Sequence, residues 1–231
     1  MNSTDTWILS YPRSGNHLVR YLVEVMTKRS TLGCIGNERD DTPICRRPNV
    51  EYLGEVLCEN PVARKSHDAS NIKNASNLLL VLRNPIDTII SHHFKQDATQ
   101  VSNKNNAKFG AAIFLKNLKF YASFSGKKAI VKYEDLVSDS YEKALTTIAD
   151  MFDIKNETLI FTLKNYDLYR ADSLKSPHRK PQTVDALGKQ SLSRREEFKS
   201  KFPETYASLI LDISALLQNE IIAKQYSQQL I

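Results

Sequence analysis

Apolar positions in this chain follow two rhythms. Short continuous runs, Trp7-Ile8-Leu9, Leu78-Leu79-Leu80-Val81-Leu82 and Ala129-Ile130-Val131, have the length and density of strands buried on both faces of a parallel sheet. Between them lie longer stretches whose apolar residues recur every three or four positions, as on one face of a helix. The pattern predicts strands at 6–10, 61–65, 78–82 and 129–131. It predicts helices at 15–28 (Leu18, Val19, Leu22, Val23 and Met26 inward), 86–95, 109–124 (Ala112, Phe114, Leu115 and Leu118 inward) and 141–152 (Ala144, Leu145, Ile148 and Met151 inward). Further helices are expected at 156–166 and 204–224, with an irregular region to about residue 60 and a polar loop at 103–106. Strands alternating with helices imply an α/β fold: a central parallel sheet flanked by helices, in one domain over 1–231, with ligands at the carboxyl ends of the strands.

Two strand-to-helix turns carry candidate chemistry. Tyr11-Pro12-Arg13-Ser14-Gly15-Asn16-His17 joins the first strand to the first helix, where backbone N–H groups and a helix N-terminus form a phosphate site. The turn is P-loop-like in position. It lacks the first Gly, the Gly-Lys pair and the Ser/Thr of the nucleoside-triphosphate motif, so it reads as a phosphate cradle without a metal partner. The second turn, Arg83-Asn84-Pro85, leads into a helix with Pro85 and Asp87 at its start. Arg83 and Ser91 are placed to converge on one anion, a guanidinium fork with a hydroxyl. The bland alternative is Arg83 paired with Asp87.

With YPRSGN followed about seventy residues later by RNPxDxxxS, the chain resembles the sulfotransferases that use 3′-phosphoadenosine 5′-phosphosulfate, PAPS. Arg64-Lys65-Ser66-His67 is similar to the family's Lys-Thr-His segment, and Val131-Lys132-Tyr133-Glu134-Asp135-Leu136 to its strand-end Tyr-Glu-Asp. The four motifs stand in family order across residues 7 to 137. The resemblance implies that Arg13, Ser14, Gly15, Asn16 and His17 hold the 5′-phosphosulfate, and that Arg83 and Ser91 hold the 3′-phosphate. It further implies His67 as general base, with Arg13 and Lys65 neutralising charge as adenosine 3′,5′-bisphosphate leaves, without a metal. Three departures are visible: Arg13 for the family's Lys, Asn16-His17 for two Thr, and Leu18 for the adenine-stacking Trp, which leaves Tyr133 as the stacking candidate. The late Arg-Lys-Gly element survives only as Arg179-Lys180 and Gly188-Lys189, so Lys189 is a candidate clamp. Glu134 and Asp135, at a strand end, read as capping acids, and His92 and His93 as packing or solvent-facing.

Charge sharpens one point. Of a formal net charge of +6, most falls between Arg170 and Lys201, where nine Lys or Arg face four acids. This is either a solvated face or an electrostatic lid over a polyanionic ligand. No nucleic-acid reader motif accompanies it, so nucleic acid is not the expected partner. Cys34, Cys45 and Cys58 form no metal-ligand spacing and read as reduced thiols, with no structural zinc. The polar N-terminus lacks a secretion signal and no apolar run is long enough to span a bilayer, so a cytoplasmic location is expected. The acceptor pocket is expected from loops near 30–60, 95–110 and 165–190, whose Asn, Asp, Arg and Lys with Tyr52, Tyr166 and Tyr169 suit a small-molecule or carbohydrate hydroxyl. Two rivals stay open: a P-loop-type small-molecule kinase, and a non-catalytic protein that binds nucleotide or nucleic acid.

Overall fold

The computed structural model describes residues 5–33, 60–93, 104–173 and 195–218. Strand β1 (Thr6–Ser10) leads through the first turn into α1 (Asn16–Thr27), which is followed by the short β2 (Thr31–Leu32). Strand β3 (Ala63–Ser66) precedes a 3-10 turn (Ala69–Asn71), and β4 (Asn77–Leu82) precedes α2 (Pro85–His93) and α3 (Lys104–Ser123). Then come β5 (Lys127–Lys132), α4 (Tyr133–Leu136), α5 (Tyr141–Met151), α6 (Asn156–Lys164), α7 (Tyr166–Ser173) and α8 (Pro203–Gln218), with residues 195–201 also helical.

The five strands form one sheet in the order β2-β3-β1-β4-β5, and every pairing is parallel. The continuous apolar runs now have their explanation. Trp7 and Leu9 with Leu78, Leu80 and Leu82 enter one core, packed by Ile86, Ile89 and Ile90 of α2, Phe114 and Leu118 of α3, and Tyr206 of α8. Ile8, Leu79 and Val81 enter the opposite core with Val19, Leu22 and Val23 of α1 and Leu145 and Ile148 of α5. Successive strand residues point to opposite faces, and both faces are covered by helices, so no polar alternation is needed. Because β3 and β4 both pair with β1, on its two sides, the chain changes direction across the sheet at β1. Ligand crevices form at the carboxyl ends of strands at such a point.

Several expectations are corrected. The loop expected at 103–106 is helical from Lys104, since a first turn needs no apolar residues when the helix is held by packing farther along. The inward stripe of α3 is Ala111, Phe114, Leu118 and Tyr121, with Ala112 exposed, because it turns away from the line of Phe114 and Leu118. The helix expected at 156–166 stops at Asn165, whose N–H and side-chain amide both bond carbonyls of the last turn, and α7 begins at Tyr166. Tyr166 and Tyr169 are therefore core residues of α7 rather than loop side chains: Tyr166 stacks on Tyr141 and donates to the Leu136 carbonyl, and Tyr169 is buried near Tyr21. Burial pushes the Tyr166 phenol well up, so it stays a neutral donor. The last helix is described to Gln218. Cys34, Cys45, Cys58, Tyr52 and Lys189 lie outside the described residues. Among the described residues no helix is long and apolar enough to cross a membrane.

Candidate functional site

The site is built on the carboxyl edge of the sheet, where β1, β3, β4 and β5 end at Ser10, Ser66, Leu82 and Lys132. The residues that follow are Tyr11–Gly15, His67, Arg83 and Tyr133, so four of the anticipated positions reach one edge through parallel pairing alone.

The first turn is tightly bent. Gly15, the N-cap of α1, has φ 88°, and Arg13 also adopts a left-handed conformation at φ 70°. A non-glycine residue in that region costs of order 1–3 kcal/mol, so surrounding structure must hold Arg13 there. Arg83 supplies part of that hold, donating from Nη1 to the Arg13 carbonyl at 3.0 Å. Gly15 is demanded twice: a Cβ would sit 2.4 Å from Cδ2 of Tyr133, in addition to the positive φ. Within this bend Ser14 is fully buried, its N–H bonded to the Tyr11 carbonyl and its Oγ without a partner. A buried hydroxyl left unsatisfied costs about 1–3 kcal/mol, so this group needs a water or ligand partner. Glu24 Oε2, Asp87 Oδ1 and Glu134 Oε2 are likewise buried without a hydrogen bond. Tyr11 anchors the turn below, edge-on to Phe114 and to His92, and burial pushes its phenol well up.

The second turn holds its backbone N–H groups with its own side chains, although Asp87 Oδ1 and Glu134 Oε2 are buried without a hydrogen bond. Asn84 caps α2, its Oδ1 accepting from the N–H groups of Ile86 and Asp87, while Glu134 Oε1 accepts from the Asn84 N–H at 2.8 Å. Glu134 thus caps, as its place at a strand end suggested. Asp87 pairs with Arg195 at 3.5 Å rather than serving Arg83. The Arg83 guanidinium carbon lies 4.5 Å from the Tyr133 ring centroid. The ring offered for adenine stacking therefore already packs against Gly15 and Arg83. Ser91, from α2, accepts from Arg13 Nε at 3.3 Å. The Arg13 side chain consequently lies with Ser91, while its carbonyl, in the first turn, is held by Arg83.

His67 follows β3. Its Nδ1 lies 2.8 Å from the Ser10 carbonyl, which can only accept, so Nδ1 carries the hydrogen and a neutral ring has its lone pair on Nε2. Asn117 of α3, buried, clamps the adjoining backbone: Nδ2 donates to the His67 carbonyl and Oδ1 accepts from the Ala69 N–H. Asp68 accepts from Lys116 and caps the 3-10 turn; partial burial works to raise its pKa, but the Lys116 and Ser70 hydrogen bonds and the Lys116 charge hold it below the usual carboxylate value. Lys65 is almost fully buried in β3. Asn16 is buried, and its side chain bonds Ser10 Oγ; His17 is half-buried beside it.

Sequence reasoning missed Ser10, Asn117 and Asn84. Only Asn84 carried a signal, an Asn just before Pro at the start of a helix. Ser10 and Asn117 act on a residue more than forty positions away, which no local pattern reports. Among the described residues no cluster of three or more His, Cys, Asp or Glu is placed to hold a metal ion. Comparison with protein-family models gives no match for the chain, and comparison with curated proteins gives none either.

Proposed function

We propose that this protein is a sulfotransferase, moving the sulfuryl group of PAPS to a hydroxyl of a small-molecule or carbohydrate acceptor. The observation that carries the reading is one sheet edge holding both an anion turn, with the unpartnered Ser14 hydroxyl, and a histidine whose Nδ1 is bonded to a backbone carbonyl. One observation supports the donor fit: the buried Ser14 Oγ has no hydrogen-bond partner within the fold. The turn Arg13 to His17 would hold the 5′-phosphosulfate, and Arg83 with Ser91 the 3′-phosphate. When bound, PAPS supplies an activated sulfuryl group.

The protein's own work is then positioning and proton transfer. His67 takes the acceptor's hydroxyl proton at Nε2, because Nδ1 is committed to Ser10. Arg13 and Arg83 bring positive charge to the same edge, where negative charge grows on departing oxygens, with Lys65, buried in β3, as the further cation that the resemblance names. The experiment is sulfuryl transfer from PAPS to a panel of alcohols and sugars with excess chelator, using wild type and His67→Ala. Turnover persists in chelator, and His67→Ala lowers it by roughly 10² to 10⁴ while adenosine 3′,5′-bisphosphate affinity holds. No transfer to any acceptor, with ATP turnover restored by magnesium, would replace this reading by the kinase.

A further inference from the structure

We propose that Ser10 and Asn16 are positioning residues for His67, so that the first residue of α1 acts on the base through a buried hydroxyl. The effect on turnover rests on the sulfotransferase reading; the bonding chain does not. Ser10 Oγ lies 3.2 Å from His67 Nδ1, and the Ser10 carbonyl lies 2.8 Å from the same atom. One N–H therefore meets two oxygens of a single residue. With one acceptor the imidazole could pivot about its hydrogen bond; with two, the ring plane is fixed. The second acceptor counts only if the Ser10 side chain stays at Nδ1. Asn16 keeps it there, donating from Nδ2 to Ser10 Oγ at 2.9 Å, with both residues buried.

Asn117 bonds the His67 carbonyl, so it sets the backbone of the segment and leaves ring orientation to Ser10 and Asn16. The arrangement gives the Asn16 side chain a role other than anion ligand. Its amide is spent on Ser10, while its backbone still opens α1 below the turn. The chain Asn16, Ser10, His67 therefore joins the anion turn to the base across β1 and β3.

The test uses the full chain with ¹⁵N-labelled histidine, the His67 signals being identified by their loss in His67→Gln. Wild type should show His67 protonated at Nδ1 and bare at Nε2. Ser10→Ala and Asn16→Ala should each keep Nδ1 protonated, since the Ser10 carbonyl remains, but shift and broaden the His67 ring signals as the ring gains freedom, and lower turnover about 10-fold to 100-fold. Adenosine 3′,5′-bisphosphate affinity should stay within about twofold of wild type, and the double variant should be no worse than Ser10→Ala, because the two act in series. Unchanged His67 signals in the variants would overturn the proposal, and so would affinity falling in step with turnover, which would make Asn16 an anion ligand. If Asn16→Ala does not fold, the Ser10→Ala signals decide. Shifted and broadened His67 ring signals in the variants of a protein whose wild type transfers no sulfuryl group would keep the positioning role and remove the sulfotransferase reading.

Discussion

The two strand-to-helix turns sit side by side at the ends of the paired strands β1 and β4, yet their backbones are held differently. In the second, between β4 and α2, Asn84 satisfies two N–H groups of α2, and Glu134 satisfies the N–H of Asn84. In the first, between β1 and α1, two residues take left-handed backbone, no side chain caps α1, and Ser14 Oγ is buried without a partner. The second turn therefore has its backbone held by side chains, although Asp87 Oδ1 and Glu134 Oε2 are buried without a hydrogen bond. The first turn instead combines left-handed backbone at two residues with a buried hydroxyl that the fold leaves unbonded. The second turn also supports the first, since Arg83 leaves it to bond the Arg13 carbonyl.

The largest break of this contrast is Gly15→Ala. Left-handed backbone and the collision with Tyr133 should together cost about 4 kcal/mol of stability, read as a large fall in Tm, with loss of measurable adenosine 3′,5′-bisphosphate binding. Arg83→Ala comes next. Loss of the charge-assisted contact should weaken the bisphosphate by about 3 kcal/mol in calorimetry, and adenosine 5′-phosphate by less. Equal weakening of both would move Arg83 out of the 3′ site.

Ser14→Ala gives the sharpest sign. Removing a buried, unbonded hydroxyl should leave Tm unchanged or raise it, while bisphosphate binding weakens by about 1–2 kcal/mol. A fall in Tm would mean that Ser14 serves the fold. The mirror case, Asn84→Ala, should lower stability by about 1 kcal/mol through loss of the cap, with a smaller change in binding than Ser14→Ala produces. Stability and affinity should thus separate in opposite directions at the two turns.

Much of this was legible in the sequence for a local reason. The run at 78–82 was read as a strand suited to burial on both faces, as it is, and the stripes of α1 and α5 named their buried residues correctly. The first strand-to-helix turn was visible because a strand, a Gly and an amphipathic helix are adjacent in the chain. Where local pattern was weak the reading slipped: α7, eight residues rich in polar side chains, passed for loop, yet its Tyr166 and Tyr169 are core.

The sequence by itself determined the strand and helix order, and hence a parallel sheet with its candidate residues at strand ends, because hydrophobic period and turn chemistry act over a few residues. Only the tertiary structure decided which of those ends meet. Placing β1 between β3 and β4 brings Ser10 to His67, Arg83 to the Arg13 carbonyl and Arg13 to Ser91, across separations of 57, 70 and 78 residues. It also made Tyr133 a support for Gly15 and Arg83, and gave Asn16 to Ser10. Such pairings follow from strand order and close packing in three dimensions, and no period along the chain encodes them.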